Sequence, residues 1–124
     1  MEAAIKLFTT AYVVLLTIVA LIPMPEAPGG YAMPLDKLEH LAAFLFFALL
    51  FSLSFESKLF LLAYPVVHEL LQLLVPWRSF DPLDLATNFA GVAAGLLVLE
   101  AWKKLHAGRS EAKSKKQKRE KPSL

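Results

Sequence analysis

Four long apolar runs, each closed by proline or polar residues, limit most strongly what this chain can fold into. The first, Ile5 to Ile22, is broken only by Lys6 and threonines and stops at Pro23 and Pro25. The second opens with Asp36, Lys37 and His40 and is then almost wholly apolar to Phe55. The third runs from Leu59 to Val75 and carries Pro65, His68, Glu69 and Gln72. The fourth runs from Pro82 to Trp102 and carries Asp84 and Asn88. A helix needs about 20 apolar residues to cross the hydrocarbon core of a bilayer. Spans are therefore expected at about 5–22, 36–55, 58–75 and 82–104, the middle two only if their polar ends are counted. A water-soluble bundle would need a polar face on each helix, and Leu41 to Leu50 offers none.

The expected fold is all-α: a polytopic membrane protein whose residues 1–107 form a four-transmembrane-helix bundle. The first run has one competing reading, a cleaved signal peptide, since a basic residue precedes an apolar stretch. No small-x-small cleavage site precedes Pro23, so a retained span is expected. The chain has no cysteine, which excludes disulfides, thiolate metal sites and cysteine nucleophiles.

Charge sets the orientation. Of 13 Lys and Arg residues, all but Lys6, Lys37, Lys58 and Arg78 lie at or after Lys103. Basic residues beside membrane ends stay on the cytoplasmic side. The tail, 108–124, is therefore expected to be cytoplasmic and disordered, or alternatively drawn to anionic lipid. With four spans the N-terminus is cytoplasmic too. The connections 23–35 and 76–81 then face outside, the turn at Ser54 to Lys58 faces inside, and Trp77 and Trp102 mark opposite interfaces.

Some polar residues have local roles to fill. Asp36 and Glu39 have capping-box spacing. Asp81-Pro82-Leu83-Asp84 reads as an N-cap, a proline at the first helical position and an acid in the first turn. Gly108 is placed to end the fourth helix. Gly91 and Gly95 make a small-xxx-small pair that admits another helix closely, either within the chain or from a second copy in a homo-oligomer.

Antiparallel passage brings a helix start, a helix end and a second start to one side. Asp36, Lys37 and His40, then His68, Glu69, Gln72 and Arg78, then Asp81, Asp84 and Asn88 are therefore expected to converge at the outer face. Asp36 and His40 share a helix face, as do Glu69 and Gln72, and as do Asp84, Asn88, Gly91 and Gly95. Ionisable groups within a membrane usually face the bundle interior and mark functional sites.

The series Asp36-Lys37-x-x-His40, Glu69-x-x-Gln72, Arg78, then Asp84, Asn88 and Gly91 resembles the VanZ-like membrane protein family. The resemblance covers most of the chain, from Asp36 to Gly95. It implies a small polytopic protein, some relatives of which are linked to resistance to teicoplanin-type glycopeptide antibiotics.

Five acids in this region (Asp36, Glu39, Glu69, Asp81, Asp84) stand against Lys37 and Arg78. So many like charges must be protonated, paired or neutralised by a cation. That argues against a plain anion pocket. Asp36, His40, Glu69 and Asp84 are candidate catalytic groups, and the same four are candidate ligands for a divalent metal. Lys37, Gln72, Arg78 and Asn88 are candidates for binding substrate. Each also has a structural alternative: Asp36 and Asp84 serving helix ends, Arg78 paired with Glu69 or Asp84, Asn88 and Gln72 bonding helices together, His40 bonding Glu69 or Asp84, and His68 simply packed. Three functions follow from this set. One is binding a lipid head group or lipid-linked phosphate of the cell envelope. The second is hydrolysis of such a phosphate. The third is a transport or partner-binding role. The expected surroundings are the lipid bilayer, with no nucleic acid.

Overall fold

The structure is a computed structural model and describes residues 1–23 and 33–121. Most of the first expected outer connection lies outside these residues. The elements are α1 (Glu2–Leu21), α2 (Met33–Ser54), α3 (Lys58–Leu71) followed by a 3-10 turn (Gln72–Leu74), and α4 (Pro82–Glu120). Three of them, α1, α2 from Asp36, and α4, are long and apolar enough to cross a membrane. The third has only 14 helical residues and falls short of the expected 58–75 helix.

The helices pass up, down, up and down. Tyr12 Oη donates to the Ala43 carbonyl at 2.7 Å, and Thr9 Oγ1 lies 2.6 Å from Ser54 Oγ, so α1 and α2 are antiparallel. Aromatic pairs run antiparallel between α2 and α3: Phe51 stacks on Phe60 at 4.7 Å and Phe44 meets His68 edge-on at 5.2 Å. Each such pair adds about 0.5–1.5 kcal/mol beyond its area. Thr17 and Tyr64 hydroxyls meet at 2.9 Å, tying α1 to α3. In lipid, where helices gain nothing from hiding apolar area from one another, such polar contacts and close packing hold the bundle together. Phe44, Phe47 and Ala48 are fully buried at its centre, while Leu7, Phe8, Val14, Leu15 and Ile18 of α1 are exposed.

The α2–α4 contact is the closest, and it is parallel. A Cβ on Gly91 would lie 2.5 Å from the Leu41 carbonyl oxygen, and one on Gly95 would lie 2.6 Å from that of Leu45. Only glycine admits this approach. Of the two partners considered for the Gly91/Gly95 face, α2 of the same chain is the one packed against it.

Two helix ends differ from expectation. α2 begins at Met33, before Asp36, so Asp36 lies in the first turn and is no cap. Pro34 suits that first turn, where its missing N–H has no partner to lose. At the other end, α4 runs straight through Gly108 to Glu120, with every residue from Ala101 on exposed. The described part of the tail is thus helical. Ala107, Glu111, Ala112 and the lysines after it favour helix, and one glycine in that setting does not end it. The expected cap at Asp81 does form: its side chain accepts from the Leu83 amide at 2.8 Å, with Pro82 next.

Candidate functional site

All the residues expected to converge do so at one end of the bundle, at the starts of α2 and α4 and the end of α3. Their order within it is new. His40 sits between two sets of groups, one on each ring nitrogen. Its Nδ1 lies 2.9 Å from Asn88 Oδ1. Asn88 Nδ2 in turn donates to Glu69 Oε1 at 2.8 Å. With the amide nitrogen spent on Glu69, Asn88 Oδ1 can only accept, so His40 carries its proton on Nδ1. The Nε2 atom then faces Asp84 Oδ2 at 3.8 Å and Asp36 Oδ1 at 3.9 Å, too far for hydrogen bonds.

The other oxygens of those two carboxylates belong to Lys37. Its ammonium bonds Asp84, reaches Asp81 at 2.9 Å, and lies 3.4 Å from Asp36. Lys37, expected to contact substrate, is thus engaged by three aspartates. The Lys37 ammonium, and then the Leu83 amide, hold the Asp81 carboxyl below the usual carboxylate range.

Asp36, His40 and Asp84 bring ligand atoms within 4.8 Å of one another and are the residues that could hold a metal ion. Glu69, the expected fourth ligand, lies on the Nδ1 side, 4.0 Å from His40, and does not join them. A transition metal would need each ligand at about 2.0–2.2 Å. Tetrahedral ligands at that distance stand about 3.3–3.6 Å apart, close to the 3.8 and 3.9 Å from His40 Nε2 to Asp84 and Asp36. A cation there would share both carboxylates with the Lys37 ammonium.

Beside His40 a cavity of about 290 Å³ opens between α1, α2 and α3. Leu16, Val19, Ala20, Ala43 and Phe44 form its apolar wall, and Asp36, Glu39, His40, His68, Gln72 and Arg78 its polar one. Only two of the five acids line it. Asp81 and Asp84 are turned toward Lys37, and Glu69 is fully buried behind Asn88. The cavity is thus much less acidic than the count of charges implies.

Arg78 forms no ion pair among the described residues, contrary to the pairing with Glu69 or Asp84 considered from sequence. One guanidinium nitrogen donates to the Val19 carbonyl at 3.1 Å, and Nε is buried without a partner. His68 is packed edge-on against Phe44, as its structural alternative has it, and also reaches the cavity. It is buried at the cavity wall, its Nδ1 has no hydrogen-bond partner, and it lies 3.7 Å from Glu69 Oε1. Glu69 Oε2 is likewise buried and unpartnered. The adjacency of His68 and Glu69 near a helix end was the available signal. The α1 wall had none, because Leu16, Val19 and Ala20 read like any other apolar residues of a span.

Among the described residues, helices with apolar outer faces and a polar site at one end of their bundle define a small integral membrane protein. The chain belongs to the VanZ/LLP1 family, whose model matches residues 5–103 and so takes in every site residue named above. Neither the curated proteins nor the solved structures yield a match to it.

Proposed function

We propose that this protein crosses the membrane four times and binds a phosphate-bearing lipid head group of the cell envelope at its outer face. The cavity carries this reading. One wall is apolar enough for the first carbons of a lipid. The other offers Arg78, His40, His68 and Gln72, while most of the carboxylates are turned away. Arginine is suited to phosphate because its planar fork donates in pairs. The test is native mass spectrometry of the purified protein with added isoprenyl phosphate or phosphatidic acid. Retention should fall about tenfold or more in Arg78→Ala, as loss of a charge-assisted hydrogen bond implies. No binding by the unaltered protein would overturn the reading.

Two observations support the topology. Because α2 and α4 run parallel, the chain between them must return from one end of the bundle to the other. With its 3-10 turn, α3 supplies 14 and three residues for that return, about 27 Å against a core of roughly 30 Å. The basic residues at the far end of α4 favour that end of the bundle, opposite the site, as the cytoplasmic one. The family resemblance to glycopeptide-resistance proteins favours an envelope lipid over a generic one.

A second reading, hydrolysis of the same phosphate, rests on His40. Its Nδ1–H is fixed by Asn88 and its Nε2 is left without a hydrogen bond, as a general base or nucleophile requires. Release of inorganic phosphate from the bound lipid, abolished in His40→Gln with binding retained, would establish it. Binding without release would leave the first reading alone.

A further inference from the structure

The opposite end of the bundle holds a second, larger recess of about 740 Å³ where the end of α2, the start of α3 and the middle of α4 diverge. Its walls include Phe55, Leu61, Leu62, Leu96 and Leu99. Four charged residues ring it: Glu56, Lys58, Glu100 and Lys103. Among the described residues, none of the four forms an ion pair. Glu100 and Lys103 are only three apart on α4 and still do not pair. Ser52 Oγ, at the same wall, is buried without a hydrogen-bond partner.

We propose that this recess binds one zwitterionic aminophospholipid, with Lys58 and Lys103 on its phosphate and Glu56 and Glu100 on its ammonium. The charges decide among head groups. The ring is balanced, two against two, so an anionic phosphoglycerol would satisfy the lysines and leave both glutamates facing a negative ligand. A primary ammonium answers both glutamates with N–H donors. A choline head group carries the same charge but has no N–H to give, and the ring contains only one aromatic, Phe55, far from the several that enclose quaternary ammonium ions elsewhere. The apolar walls below the ring suit acyl chains. Ser52 Oγ supplies a donor for an ester or phosphate oxygen. Under the four-crossing topology this is a lipid of the inner leaflet; the recess and its charges do not depend on that topology or on the head-group cavity at the other end.

The experiment uses the full chain, delipidated in mild detergent and offered an equimolar mixture of phosphatidylethanolamine, phosphatidylglycerol and phosphatidylcholine with matched acyl chains. Native mass spectrometry reads which is retained. Phosphatidylethanolamine should exceed the other two by about tenfold. Glu56→Gln with Glu100→Gln should erase its advantage over phosphatidylglycerol, and Lys58→Met with Lys103→Met should lower retention of all three. Glu111→Gln with Lys113→Met, on the exposed extension of α4 beyond the recess, should leave the preference intact. Equal retention of the three lipids by the unaltered protein would overturn the proposal. So would a preference that survives the glutamate substitutions or disappears with the Glu111 and Lys113 substitutions. All four ring residues are exposed, so their replacement leaves the packed interior untouched.

Discussion

His40 Nδ1 and Asn88 Oδ1 stand 2.9 Å apart, and this contact sets the tautomer of the imidazole at the centre of the site. Asn88 can accept there only because its amide nitrogen is already committed to the buried Glu69. One fully buried amide, on α4, thus joins α2 to α3 and decides which nitrogen of His40 remains available.

Asn88→Ala should therefore act on chemistry and stability together. It leaves a buried carboxylate and an imidazole nitrogen unsatisfied, a loss of about 1–3 kcal/mol. Unfolding in detergent should show that loss. Nitrogen NMR of the histidines should show His40 moving from a fixed Nδ1–H form to a mixture. An unchanged tautomer would mean that Asn88 does not control the ring.

The glycines of α4 should respond with opposite signs. At Gly91 and Gly95 an added methyl meets the backbone carbonyls of Leu41 and Leu45, which cannot yield without moving a helix. Either change to alanine should destabilise by about 1–3 kcal/mol. At Gly108 an added Cβ meets nothing within 4 Å. Alanine there should raise helix stability by about 1 kcal/mol. Thermal melts followed by circular dichroism would separate the two cases.

Acid should loosen the start of α4. The Asp81 carboxyl is held below its ordinary value of 3.8 by Lys37 and the Leu83 amide. A carboxyl lowered in the folded state contributes stability that is complete above its unfolded value. That contribution is lost as pH falls below about 4 and through the folded value. Asp81→Asn keeps the cap but not the charge. The difference in stability between the two proteins should be constant near neutral pH and shrink on acidification; a difference independent of pH would remove Lys37–Asp81 as its cause.

Much of this site was legible beforehand because it depends on helix periodicity and threading. Asp36 with His40, and Asp84 with Asn88, are four apart, and alternating passage brings their ends together however the side chains turn. The glycine pair was legible for the same reason, although not whether its partner was α2 or another copy. What required coordinates was side-chain direction. Spacing places Glu69 near His40 but not on its Nδ1 side, behind Asn88. Counting charges makes the region acidic, yet it cannot show that Lys37 collects three aspartates and leaves Arg78 to the cavity. Helix ends misled in both directions, because Pro34 starts α2 ahead of Asp36 and a lone glycine does not stop α4 among strong helix formers.

The topology has a direct test, since the chain lacks cysteine and single cysteines can be added at exposed points. Glu39→Cys lies at the site end, Lys113→Cys on the extension of α4, and Glu2→Cys at the start of α1. A membrane-impermeant maleimide should label Glu39→Cys in intact cells and the other two only after lysis. Labels at Glu39 and Lys113 from the same side, opposite to Glu2, would mean an odd number of crossings, with either α3 or α4 remaining at one face. Four crossings place positions 2 and 113 together inside and position 39 outside, because α3 must carry the chain back for α2 and α4 to run parallel.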